Sequence, residues 1–254
     1  MLKGKRGLIL GVANKRSIAW AITRAANQAG AELALTYAGE RFREGVAELA
    51  EPLGVKMILP CDVSSDAEIT SVFARIRDTW GGLDFLVHSI AFARKDELNG
   101  RFLDTSRDGY LLAQEISSYS LTALCRAAAP LMAGRCASVL TLTYLGGERV
   151  VRNYNVMGVA KAALQASVRY LAWDLGSMDI RVNAISAGPI KTLSAAGVSE
   201  FSSLLEEMPR RAPLRRNVTA EEVADAALFF LSPLSRSVTG EILFVDCGFN
   251  ILGI

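Results

Sequence analysis

Short runs of β-branched and aliphatic residues recur along the chain, separated by longer stretches in which apolar positions return with helical period. The short runs predict strands near 7–11, 32–37, 55–60, 83–89, 137–143, 180–186 and 241–246, and the longer stretches predict helices near 17–30, 40–53, 66–80, 108–132, 154–175, 193–208 and 220–231. Strands joined by right-handed helical crossovers form a parallel sheet covered on both faces, because each crossover helix must bury its apolar stripe. The expected fold is therefore α/β, a Rossmann-type, doubly wound, parallel seven-stranded sheet with helices on both faces. No linker, repeat or low-complexity tract interrupts residues 1–254, which read as a single domain. One zone is irregular: residues 187–213 begin with Ala187-Gly-Pro and carry the small-residue run Ser194-Ala-Ala-Gly197. Because ligands bind beyond the carboxyl ends of such strands, residues 191–213 are expected to form a substrate lid.

Composition narrows the function classes. With 254 residues and 51% hydrophobic content the chain can bury a large core. Its 28 basic groups nearly balance 26 acidic ones, so no global field holds it on nucleic acid or an anionic membrane. Four scattered cysteines without a Cys-x-x-Cys pair, and one histidine, argue for a reducing compartment and no metal. The basic head Met1–Arg6 and apolar run Gly7–Ala13 mimic a signal peptide, but the run is short and no small-residue cleavage site follows. No stretch approaches the roughly 18 apolar residues of a membrane span, and a cytoplasmic location is expected.

The first predicted strand ends at Gly11, and Ser17-Ile18-Ala19 open the first helix. A helix start offers unpaired N–H groups to a pyrophosphate where the approaching backbone lacks bulk, although a plain turn glycine and a helix-capping serine explain the same residues. After the second strand, Ala38 and Gly39 precede Glu40, Arg41 and Arg43, which leaves NADH against NADPH open. Asp62 could accept from an adenine amino group while Val63 packs on the ring; equally, Asp62 could begin a helix. His88 reads as a satisfied core residue.

The segment from Leu142 to Ala163 carries the candidate chemistry. Tyr154 and Lys161 lie seven residues apart, so a helix starting at 154 presents both on one face about 10 Å apart along its axis. A phenol there can donate to an oxygen that gains negative charge, while a neighbouring ammonium favours the phenolate and can anchor a nicotinamide ribose. Alone, such a pair reads more readily as two ordinary surface residues.

Together with Gly11-x5-Ser17-Ile18-Ala19, Cys61-Asp62-Val63, His88-Ser-Ile-Ala-Phe-Ala93, Ile116-Ser-Ser-Tyr-Ser120, Tyr144-Leu-Gly and Arg181-Val-Asn-Ala-Ile-Ser-Ala-Gly-Pro-Ile190, the segment Tyr154-Asn-Val-Met-Gly-x-Ala-Lys161 resembles the short-chain dehydrogenase/reductase superfamily. Specifically it resembles the divergent branch of bacterial enoyl-acyl-carrier-protein reductases, over essentially the whole chain. Ketone-reducing members carry a Tyr-x3-Lys pair with an upstream serine. Here Met157 stands four before Lys161, Tyr144 stands where the serine would be, and the acid lies one helical turn back.

The resemblance implies type II fatty acid synthesis: hydride passes from NADH to C3 of a trans-2-enoyl thioester, and Tyr154 stabilises the enolate. A coordinated water or Tyr144 is the substitute donor. It further implies cofactor contacts at Gly11, Ser17, Ile18, Asp62, Val63, Ile90, Lys161, Ile190 and Thr192. The acyl pocket is implied at Ala93, Tyr144, Met157, Val198, Phe201 and Leu204, although Met157, Val198, Phe201 and Leu204 also suit plain helix packing. Implied partners are acyl carrier protein, with Lys191, Arg210, Arg211, Arg215 and Arg216 as docking candidates, and a homotetramer in which the tail Phe249–Ile254 is buried.

Two departures from the pattern stand out. Ala38 replaces a glutamine of several relatives, and Val245-Asp-Cys247-Gly replaces Val-Asp-Gly-Gly, implying that the backbone at 247 need not take φ > 0. Competing readings are a 3-oxoacyl or other carbonyl reductase of the same superfamily and a catalytically silent dinucleotide sensor.

Overall fold

Strands buried on both faces read as continuous apolar runs, and alternation along each strand then divides the core in two. In the computed structural model, which describes residues 1–192 and 201–253, the strands are β1 (Arg6–Leu10), β2 (Glu32–Tyr37), β3 (Met57–Pro60), β4 (Phe85–His88), β5 (Ala137–Thr143), β6 (Ile180–Ala187) and β7 (Ile242–Val245). All pair in parallel, in the order β3-β2-β1-β4-β5-β6-β7. Ile9, Phe85, Val87 and Leu140 face one cluster with Trp20 and Ile22 of α1 (Ile18–Gln28), Val46 of α2 (Arg43–Ala50) and Phe230 of α8 (Ala220–Leu231). Leu8, Leu86 and Val139 face the other, with Phe73 of α3 (Asp66–Trp80), Leu124 of α5 (Ser120–Met132) and Leu164 of α6 (Asn155–Gly176). The order reverses between β1 and β4, which opens a crevice beyond their carboxyl ends, at Gly11 and Ser89.

The elements depart from expectation where side chains intervene. The helix expected over 108–132 is α4 (Arg107–Gln114), a π-helical turn at Glu115–Tyr119, and α5. That wider turn lets Ser120 Oγ donate to the Ile116 carbonyl at 2.7 Å and sit 2.9 Å from His88 Nε2. The helix expected at 40–53 shortens to α2 between 3-10 turns, because Pro52 cannot continue it and Gly54 takes φ 69°. For the helix expected at 193–208, α7 spans Phe201–Arg211, and residues 193–200 lie outside the described residues. Pro209 falls inside α7. The Leu205 carbonyl, which a proline nitrogen cannot serve, accepts from Asn217 Nδ2 at 2.9 Å.

Cys247 corrects another expectation, since its φ is +58°. The Asp246 carboxylate holds that turn by accepting the N–H groups of Gly248 and Asn250 at 2.9 and 2.8 Å, and so sustains a conformation that costs a side-chain-bearing residue about 1–2 kcal/mol.

Candidate active site

One cavity of about 820 Å³ runs along the carboxyl edge of the sheet, from the turn after β2 to α6 and α7. Gly11 sits where β1 and β4 diverge, at φ +96°, and a Cβ there would lie 1.9 Å from the Ser89 carbonyl oxygen. Its missing side chain thus serves a backbone crossing as well as an open cavity wall. Ser17 occupies the cap position of α1, but its hydroxyl donates to the Asn14 carbonyl at 2.7 Å and caps nothing; the first turn carries no acid. By contrast α3 and α8 have side-chain caps and acids in their first turns. The open, positive start of α1 beside Gly11 fits the anionic centre of a dinucleotide.

Ile18 and Ile90 line the cavity beside them, and Ile190 and Thr192 line it beyond β6. Asp62 and Val63 do not line it. The Asp62 carboxylate accepts from the N–H and hydroxyl of Ser64 at 2.9 and 2.7 Å, a turn that leads into α3.

Tyr154 stands at the cap position just before α6 rather than within it, yet shares the cavity with Lys161 as their spacing implied. It is flanked by Asn153 and Asn155 at φ 60° and 31°, and its carbonyl accepts from Met157 N–H to close the first turn. Asparagine tolerates this left-handed region better than most residues. The Tyr154 ring meets Tyr144 edge to face, with centroids 5.0 Å apart, and both line the cavity with Lys161. Burial, with Tyr144 adding to it, pushes the Tyr154 phenol well above its ordinary range, so the expectation of a phenolate favoured by Lys161 is corrected: the group is a protonated donor. Tyr144 is pushed up to about 12 by burial and by Asp246. Burial also lowers Lys161 to about 8, and its ammonium donates to the Leu142 carbonyl at 2.8 Å. His88, fully buried between Thr141 and Ser120, drops to about 3 through burial and then Lys161; it is a neutral core residue.

Sequence reasoning missed the parts that seat the phenol. A Cβ on Gly146 would lie 2.4 Å from Tyr154 Cδ1, and one on Gly158 would lie 2.8 Å from the Gly146 carbonyl oxygen. Gln165, one turn beyond Lys161 and buried, donates to Thr143 Oγ1 at 3.1 Å. The signals available were the Gly146-Gly147 doublet and the Gln165 amide in the apolar middle of a helix.

On the acyl side Ala93, Met157 and Leu204 line the cavity, and Met157 packs with Leu98 and Ala113. Ser117, in the π-helical turn, accepts from Phe92 N–H and donates to its carbonyl, and it lies 3.6 Å from Met157 Sδ. Val198 and the side chain of Phe201 lie outside the described residues. Of the basic groups, Arg211 pairs with Glu207 at 3.0 Å, Arg216 with Glu222 at 2.8 Å, and Arg215 donates to the Arg210 carbonyl. Arg210 and Lys191 are exposed and make no ion pair among the described residues.

The family model described as enoyl-(acyl carrier protein) reductase matches residues 11–250. An enoyl-[acyl-carrier-protein] reductase [NADH] of Bacillus cereus is 58% identical, the match covering 100% of this chain and 99% of that protein. The crystal structure of the Bacillus cereus enoyl-acyl carrier protein reductase with NADP+ and indole naphthyridinone superposes with a TM-score of 0.96 at 57% identity, covering 100% of this chain and 99% of that one. The Anaplasma phagocytophilum reductase, solved in complex with NAD, gives 0.95 at 50% identity, over 100% and 96%.

Proposed function

The chain belongs to the enoyl-(acyl carrier protein) reductase family, and from that membership we propose how its own residues carry out the reaction. It is an NADH-dependent oxidoreductase of type II fatty acid synthesis that reduces the carbon–carbon double bond of enoyl groups borne by acyl carrier protein. Bound NADH supplies the hydride that C3 of the enoyl thioester accepts.

The open start of α1 with Gly11, Ser17 and Ile18 would hold the pyrophosphate end. Asp62 and Val63 stand outside the cavity lining and would meet the adenine only where it extends past that lining, while Ile90, Ile190 and Thr192 would flank the nicotinamide. Lys161, an ammonium at neutral pH, would grip the nicotinamide ribose. As charge gathers on the thioester oxygen, the Tyr154 hydroxyl donates a hydrogen bond to it, stabilising the enolate until C2 is protonated. Tyr144 buttresses that ring. Ala93, Met157 and Leu204 would wall the acyl chain.

The observation that carries this reading is that Tyr154 and Lys161 line one cavity while Met157 fills the place four before the lysine. A ketone reducer would need its phenol where Met157 stands. Initial rates on crotonyl and acetoacetyl thioesters with NADH test it: turnover of the enoyl substrate with little of the 3-oxo substrate is expected, and the reverse would overturn it.

Assembly and docking belong to the same proposal. Trp173 and Tyr170 of α6 are 85% and 75% exposed, and Ile251 of the tail is 71% exposed, apolar faces that a homotetramer would cover. Arg210 and Lys191 would meet the acidic carrier protein. Four free cysteines suit a cytoplasmic setting, and among the described residues no helix is long and apolar enough to cross a membrane.

A further inference from the structure

The buried face of α6 is apolar except at Lys161 and Gln165. These two stand four residues apart, one above the other on the helix, and are only 5% and 3% exposed. Lys161 donates to the Leu142 carbonyl at 2.8 Å, while the Gln165 amide donates to Thr143 Oγ1 at 3.1 Å and faces the Tyr144 carbonyl at 3.5 Å. One turn of α6 thus holds three successive residues where β5 ends. Room for the amide comes from Gly147, where a Cβ would lie 2.9 Å from Gln165 Nε2. The Gly147 N–H donates to the same Tyr144 carbonyl at 3.0 Å, so that peptide is approached from two sides. Gln165 and Thr143 are both buried, and neither can turn to water instead. From this held exit Tyr144 runs in extended backbone, φ −149° and ψ 153°, and its ring reaches the edge-to-face contact with Tyr154. Gln165 itself is not among the described residues that line the cavity.

We propose that Gln165 is a positioning residue of this reductase: its amide fixes the exit of β5, Tyr144 passes that placement to the Tyr154 ring, and the aim of the phenol at the substrate oxygen depends on it. The inference rests on the enoyl-reductase reading of the same cavity. An apolar side chain of equal length would fill the space but leave the Thr143 hydroxyl and the strand exit without their anchor. A donor misplaced by about 1 Å can lose up to about a hundredfold in rate, so a smaller slip of the ring is enough to be read in turnover.

Two variants of the full chain break the bond from opposite ends. Gln165→Met keeps the length and removes the amide, and Thr143→Val removes the hydroxyl and keeps the branched shape that suits a strand. Each should lower kcat on crotonyl thioester by about tenfold, with the Kd for NADH within about twofold of wild type and the melting temperature little changed. Tyr144→Ala supplies the background that identifies the route. If Gln165 acts through Tyr144, adding Gln165→Met to Tyr144→Ala should slow it no further, and Gln165→Met with Thr143→Val should be no slower than either alone. Losses that multiply in these cycles, an unchanged kcat in a folded variant, or equal losses of kcat and NADH binding would overturn the role. Should Gln165→Met not fold, Thr143→Val and its pair with Tyr144→Ala decide by the same criteria. A wild type that reduces acetoacetyl but not crotonyl thioester would overturn the underlying reading, and the same variants on that substrate would still decide Gln165.

Discussion

At the scale of single residues, burial sets protonation against what adjacency implies. Placing Tyr154 near Lys161 in the sequence invites a phenolate, yet both groups are desolvated and each is driven toward its neutral form. That keeps the phenol a donor and brings the lysine within reach of physiological pH. Below about 8 Lys161 is charged and can hold the cofactor; above it the charge is lost. In the free enzyme kcat/KM for NADH should therefore fall by about tenfold per pH unit on the alkaline side of about 8, and Lys161→Arg should abolish that limb. A flat wild-type profile from pH 7 to 9.5 would contradict it. The identities of Tyr154 and Lys161 were legible from motif and spacing. Their ionisation was not, since it depends on which atoms surround them after folding.

At the scale of elements, alternating apolar runs and helical periods revealed every strand, while local backbone departures stayed hidden. A single π-helical turn within a helix leaves little mark on the hydrophobic pattern, so Glu115–Tyr119 could not be told from its flanks until Ser117 was seen bonding across to Phe92. The start of α6 is similarly concealed, because two asparagines in the left-handed region detach Tyr154 from the helix that carries Lys161. The 3-10 turn at Leu145–Gly147 lies directly against this start, and only a residue without Cβ fits between the carbonyl chain and the phenol. Gly146→Ala should push the Tyr154 ring out of line and lower kcat by about a hundredfold, with a much smaller change in the Kd for NADH. Steady-state kinetics beside fluorescence titration would show this split; equal losses in both would mean that the glycine supports the fold generally.

For the molecule as a whole, the doubly wound order follows from strand–helix alternation and crossover handedness, and the reversal between β1 and β4 places the cavity. Assembly was less legible, because an apolar helix face looks the same in sequence whether a sheet or another subunit covers it. Sedimentation velocity should show a tetramer for the wild type, as proposed, and smaller species for Trp173→Glu; a tetramer in both would remove α6 from the interface. Of the docking candidates, Arg211 and Arg216 are paired with Glu207 and Glu222, while Lys191, Arg210 and Arg215 make no ion pair among the described residues. Arg210→Glu should raise KM several-fold for carrier-borne substrate at low salt while sparing a coenzyme A thioester. The proposed reaction turns on one hydrogen bond from the half-buried Tyr154 phenol to a developing enolate. The most direct measurement is kcat of Tyr154→Phe on crotonyl thioester with NADH. A fall of about two to three orders of magnitude, from the loss of roughly 3–4 kcal/mol of transition-state stabilisation, is predicted with NADH binding retained; turnover at the wild-type rate would contradict the account.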